Sequence, residues 1–145
     1  MTGQSGVPIT KQRRWGGSVL ALFAGFMAAV VLSLGTDFTL HAIGLWPALG
    51  EPMAPQLLAV ATVYRAIYGV VSGYIIARMA PYRPLEHALI GGFIGLVLSL
   101  VGALATWNRG FGPHWYPVAL VVLAVPSAWV GGRLRLAQLR NLATH

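Results

Sequence analysis

Apolar residues gather into four long runs, and polar residues into the stretches between them. The runs cover Trp15 to about Thr36, about Gln56 to Ala80, about Leu85 to Trp107, and about Tyr116 to Leu136. Each meets or exceeds the ~20 residues that a helix needs to cross the hydrocarbon of a bilayer. None shows the polar/apolar alternation of a membrane barrel strand. In lipid a lone segment must pair every backbone N–H and C=O internally, as a helix does. The pattern predicts an all-α fold: a polytopic membrane protein, a four-transmembrane-helix bundle. It forms a single integral membrane domain over residues 1–145, with short tails.

The connecting stretches carry the orientation. Lys11, Arg13 and Arg14 precede the first run, the second connection holds Arg83 with Arg78 at its edge, and Arg133, Arg135 and Arg140 lie at the end of the fourth run and in the tail. The first connection, 37–55, holds Asp37, His41 and Glu51 but no Lys or Arg, and the third holds Arg109 alone. Eight cations thus share a side with the termini and one lies opposite. The positive-inside rule makes the first side cytoplasmic, with the chain a multi-pass protein of an inner (plasma) membrane. Phe38, Trp46, Trp107, Phe111, Trp115 and Tyr116 are expected to form an aromatic belt on the outer side. The first run is too long for the apolar core of a cleaved signal, usually about 7–15 residues, and reads as a retained span.

Composition agrees. The chain is 57% hydrophobic and 9% charged, against about 25% charged in an average soluble domain. The net charge of +7 lies in short clusters beside apolar runs, a membrane-topology footprint that argues against nucleic acid. Such clusters suit anionic lipid headgroups, at about 1 kcal/mol per residue near the surface. With no cysteine, disulfides, thiol catalysis and cysteine-ligated metals are excluded.

Small residues recur at spacings of four. The first run has Gly17, Ala21, Gly25, Ala29 and Ser33; the third has Gly91, Gly95, Ser99 and Ala103. The second has Ala61, Arg65, Gly69, Gly73 and Ala77. Gly69 to Gly73 and Gly91 to Gly95 are GxxxG motifs. Without Cβ atoms, helix backbones approach closely, so Gly25, Gly69, Gly73, Gly91 and Gly95 are helix-packing candidates. Leu32-Ser33-Leu34 matches Leu98-Ser99-Leu100 at the offset that matches Gly25 to Gly91. Two tandem helical hairpins related by an axis along the membrane normal would produce that repeat, as would chance recurrence in Gly- and Ala-rich helices.

Arg65 is the one charge committed to the interior of a run. A central arginine costs about 2.5–3.5 kcal/mol on insertion scales, so it needs a partner or a wet cavity. Asp37 is the acid best placed to meet it, but aligning the spans leaves it several residues above, within reach only if the arginine extends upward. Ser33 sits closer to the level of Arg65, and Tyr64 and Tyr68 flank it on the same helix with ring and hydroxyl contacts to offer. The group reads either as a structural ion pair or as the lining of a transport path. His41, four residues after Asp37, and His114 allow a His-Asp-His metal site, but the spacing is unspecific and no metal is assigned. Pro126 is expected to kink the fourth helix. Glu86, near the start of the third, suits the helix dipole and neutralisation by Arg83 or Arg78. The chain carries no nucleophile–base pair, HExxH or acidic metal cluster, so neither an enzyme nor a cofactor is expected.

The stretches Tyr64-Arg65, Tyr68-Gly69, Gly73-Tyr74, Ala77-Arg78 and Ala80 to Ala88, with Gly112-Pro113-His114-Trp115-Tyr116-Pro117, resemble those of uncharacterised small four-helix proteins of bacterial inner membranes. The resemblance covers about half of the chain and implies a location without an activity. The expected function is a non-enzymatic helix-packing partner or accessory subunit in the lipid bilayer, as a homo-oligomer or beside another membrane protein. The alternative is a small oligomeric transporter or channel with Arg65 and Asp37 lining its path.

Overall fold

A computed structural model describes residues 10–144, with side chains from Trp15 onward. Lys11, Arg13 and Arg14 therefore have side chains outside the described residues. The chain forms α1 (Thr10–Ala42), α2 (Pro55–Met79), α3 (Pro84–Thr106) and α4 (Trp115–Ala143). All four are long and apolar enough to cross a membrane. The start of α1, the end of α4 and the short α2–α3 turn share one end of the bundle, called here the terminal end. The two longer connections share the other, the loop end.

Prolines and glycines set the boundaries. α2 and α3 each start on a proline, whose missing N–H would find no partner in a first turn anyway. α2 stops at Met79 because Ala80 precedes Pro81 and is held extended. Two helices run further than their apolar runs. α1 continues past Thr36 to Ala42 because nothing breaks it before Gly44. There φ is +74°, and the N–H groups of Leu45 and Trp46 close back on the Leu40 carbonyl. α4 continues past Leu136 through good helix formers to Ala143, and Pro126 lies inside it without ending it. The longer α1 carries Asp37 and His41 on a helix where the sequence suggested a loop.

The tightest packing joins α2 to α4. A Cβ on Gly73 would stand 2.5 Å from the Ala128 carbonyl oxygen, and one on Gly131 would overlap the Val70 carbonyl. A Cβ on Gly69 would crowd that of Ser127. The contact is reciprocal: Gly73 and Gly131, Val70 and Ala128, and Gly69 and Ser127 each lie 58 positions apart. α3 lies along α4 through Gly92 and Gly132, which face Ala128 and Ala88. α1 leans on α2 and more lightly on α3, and none of its Cα atoms comes within 8 Å of α4. Gly25 on α1 and Gly91 on α3 both receive Ile76, which is 2% exposed.

The small residues therefore do two different things. Gly25, Gly73, Gly91 and Gly131 accept a neighbour that a methyl would displace. Gly95 does not: its nearest neighbour, the Ala124 Cβ, would be 4.0 Å from an added Cβ. Gly73→Leu and Gly131→Leu are each expected to lower stability by about 1–3 kcal/mol through overpacking. Gly95→Ala should be neutral or stabilising by up to ~1 kcal/mol through helix propensity. Unfolding followed in detergent checks the order; a Gly95→Ala protein as impaired as Gly73→Leu would overturn the division.

Candidate functional site

Polar side chains meet where α1 and α2 come together at the loop end. Arg65 Nη2 donates to Asp37 Oδ2 at 2.6 Å, and the Tyr64 hydroxyl donates to Asp37 Oδ1. Both carboxylate oxygens are thus engaged from consecutive residues of one helix. One turn along, the Tyr68 hydroxyl and Thr36 Oγ1 are hydrogen-bonded at 2.7 Å. The Arg65 guanidinium carbon lies 6.0 Å from the centre of the Tyr64 ring, and the Tyr64 and Tyr68 rings tilt against one another at 5.6 Å. α1 reaches this level because it stays helical beyond Thr36. Had it ended there, Asp37 would have no fixed direction.

The Arg65 and Asp37 side chains are 33% and 23% exposed, and both border one open cavity. A cavity of about 630 Å³ opens at the loop end. Asp37, Tyr64, Arg65 and Tyr116 line its floor, and Trp46, Trp107 and Phe111 are among the aromatics around it. Trp46 is 7% exposed. It lies against the cavity, and the turn at Gly44 brings its N–H back to the Leu40 carbonyl. A backbone bond from Met53 N–H to the Phe111 carbonyl ties the two long connections together above the cavity.

A second cavity of about 250 Å³ occupies the middle of the bundle and receives residues from all four helices. It lies where α1 does not reach α4, and beside larger apolar side chains such as Phe26 and Leu123 its lining holds the small residues Ala29, Ser33, Gly69, Gly95, Ser99 and Ala124. Tyr68, Ser72 and Ser127 add hydroxyls. Arg65, Leu98, Ser99 and Leu120 line both cavities. Toward the terminal end the space stops at Ile76 and Ala128.

The structure brings Arg65 and Asp37 into contact. Ser33 and Tyr68 line the central cavity instead, Tyr68 through its bond to Thr36 rather than to the ion pair. Gly69, Gly91 and Gly95 also line that cavity, while Gly25 and Gly73 lie outside its lining. The second partner of Asp37, the Tyr64 hydroxyl, and the floor residue Tyr116 were not singled out as a constellation with it. The signal for Tyr64 is its place beside Arg65; none marks Tyr116, which arrives from another helix. His41 Nδ1 is at hydrogen-bond distance, 2.9 Å, from the Asp37 carbonyl, and His114 Nε2 is 3.0 Å from that of Trp107. Among the described residues no three His, Asp or Glu side chains converge as a metal would require. At the terminal end Glu86 pairs with Arg83 at 3.1 Å, and the buried His87 meets Ser18 Oγ of α1 at 2.8 Å.

An unpaired charge inside an apolar bundle is costly, and removing one partner leaves the other stranded. Arg65→Leu and Asp37→Asn should each cost about 1–3 kcal/mol, the range for an unsatisfied partly buried group. The double variant should cost less than the sum by at least ~0.5 kcal/mol. A double-mutant cycle in detergent measures this, and additive losses would show that the pair carries no coupling. No family model matches the chain, and comparison with curated proteins and with solved structures found no match, so the functional reading rests on this geometry.

Proposed function

We propose that the chain is an integral membrane protein that crosses the bilayer four times with both termini cytoplasmic. In this reading it is not an enzyme but admits a small polar solute from outside to a binding position at Arg65. The lipid bilayer is its solvent, in a plasma or inner membrane, and two tandem hairpins of like orientation build the bundle. One observation carries the functional part: Arg65, with Leu98, Ser99 and Leu120, lines both the outer vestibule and the central cavity. A charge committed to a membrane helix and bordering internal space is the usual mark of a solute or ion route.

The chemistry limits the solute. Arg65 gives one hydrogen bond to Asp37 and its Nε is buried, which leaves its other terminal N–H groups to donate. Asp37 balances its charge, so a solute with net charge would meet a neutral site in a weakly polarisable surround and bind at a cost. A neutral or zwitterionic molecule carrying an oxygen acceptor fits best. Ile76 closes the space on the cytoplasmic side in this conformation, so passage requires α1 or α3 to move off that side chain. The reading as a packing partner or accessory subunit draws on the glycine stripes. It has less to offer for Gly95, Ser33 and Ser99, which border space rather than a neighbouring backbone.

Reporter fusions after Asn108 and after His145 should report opposite compartments; the same compartment for both would end the four-span reading. The chain has no cysteine, so single substitutions label cleanly. Ser99→Cys should react with a membrane-impermeant thiol reagent added from outside. Arg65→Leu combined with Asp37→Asn should fold yet lose at least about tenfold in uptake of zwitterionic or neutral solutes into vesicles, equivalent to ~1.4 kcal/mol. Protection of Ser99→Cys together with wild-type vesicles silent toward such a panel would return the packing or partner role to the front.

A further inference from the structure

A second polar cluster lies at the terminal end, on the faces of α2 and α4 beyond their glycine contact. Arg78 Nη1 donates to the Tyr74 hydroxyl at 3.3 Å, and the Tyr74 hydroxyl donates to Gln138 Oε1 at 2.8 Å. Arg135 Nη1 donates to the same Gln138 oxygen at 2.7 Å. Arginine only donates, so the amide oxygen must be the atom that faces Arg135. Two guanidinium groups are thereby drawn onto one short neutral relay.

Among the described residues no acid compensates them. The chain has three acidic side chains. Asp37 is held by Arg65 and Glu51 lines the vestibule, both at the loop end, while Glu86 is paired with Arg83. Among the described residues neither Arg78 nor Arg135 has a carboxylate partner. The relay also uses up the acceptors within it. The Gln138 oxygen already takes two hydrogen bonds and the Tyr74 hydroxyl takes one while giving one. What the cluster still offers is donors: the remaining N–H groups of Arg78, the remaining terminal N–H groups of Arg135 and the Gln138 amide nitrogen. Arg135 Nε is buried without a partner. An array of donors with two positive charges is complemented by an anion that only accepts and has several oxygens.

We propose that Arg78, Tyr74, Gln138 and Arg135 form a binding site for a terminal phosphate group. A phosphomonoester presents three free oxygens and nearly two negative charges near neutral pH, matching two guanidiniums and an amide. A phosphodiester presents two free oxygens and one charge, with a substituent in the way of the third direction. The site stands at the end of the helices where a cytoplasmic headgroup layer would lie, so a phosphomonoester lipid and free phosphate are the two sources of this chemistry. The lipid source rests on the membrane reading above; the phosphate source does not.

The test uses the full chain in nanodiscs and reads the unfolding temperature. Phosphatidylcholine discs are compared with discs containing equal negative charge as phosphatidic acid or as phosphatidylglycerol, and with phosphatidylcholine discs given inorganic phosphate. Stabilisation by phosphatidic acid above phosphatidylglycerol, with no response to inorganic phosphate, assigns the lipid headgroup. An equal response to inorganic phosphate assigns the soluble source. Either response should weaken at least tenfold in half-saturating concentration in the Arg78→Gln, Arg135→Gln double variant. Tyr74→Phe retains both charges and breaks the relay, so it should bind anionic lipid but lose the preference between the two lipids. The proposal is overturned if the two anionic lipids act alike and phosphate does nothing, or if the preference survives in Tyr74→Phe. Failure of the vesicle uptake experiment would leave this outcome untouched, since the cluster shares no residue with either cavity.

Discussion

The close approach of α2 and α4 at Gly73 and Gly131 is the constraint on which the other arrangements hang. Helix backbones come this close where a glycine leaves out the Cβ that would stand between them, and here each glycine faces the other helix's backbone. The contact lies toward the terminal end. A stripe spaced by four drifts about 40° per step around a 3.6-residue helix, so the same stripe cannot face one neighbour along its whole length. α3 follows α4, α1 stays on the far side of α2, and the space between α1 and α4 is left to small side chains and hydroxyls.

That space explains why a charge is tolerated inside so apolar a molecule. Arg65 would be intolerable against packed hydrocarbon, yet it borders two cavities and answers a carboxylate held by a neighbouring tyrosine. The pair is formed by side chains of two helices, so it also fixes the height of α1 against α2. α1 has little else to hold it: it is not packed on α4, and at its other end the polar contact described is Ser18 with His87. Polar contacts at its two ends bracket an apolar middle where Gly25 takes Ile76. A structural role for the ion pair and a role in a solute path do not compete, since the same side chains register the helix and face the opening.

Acids are scarce and cations are not, and their distribution separates the two ends of the bundle. At the loop end the charge is nearly balanced, which suits a solute without net charge. At the terminal end arginines outnumber carboxylates, and two converge on a relay that has no acceptor left to offer. The excess charge from which the proposed orientation in a membrane is read is the same charge that makes the proposed anion site there, and the Tyr74–Gln138 relay turns it from a diffuse field into a directed one.

Four helices and their approximate extents follow from the sequence because lipid-length apolar runs leave the backbone no other economical way to pair its polar groups. Pro55, Pro81, Pro84 and Gly44 mark where those helices start or stop by local sterics alone. The importance of Arg65 was legible too, since a lone charge in an apolar run demands an answer wherever it lands. The identity of that answer was partly legible: Asp37 stood out by elimination among three acids, but Tyr64 as its second partner depends on how α2 is turned toward α1. Which glycines close contacts and which leave space could not be read from spacing, because Gly73 and Gly95 look alike in a stripe and differ only in whether a helix stands opposite. The same holds for Tyr116, for Gln138 and for the distance between α1 and α4. A sequence determines the conformation of a helix through forces between near neighbours. The cavities and polar clusters arise from residues dozens of positions apart, and only the packing of whole helices decides which of those meet.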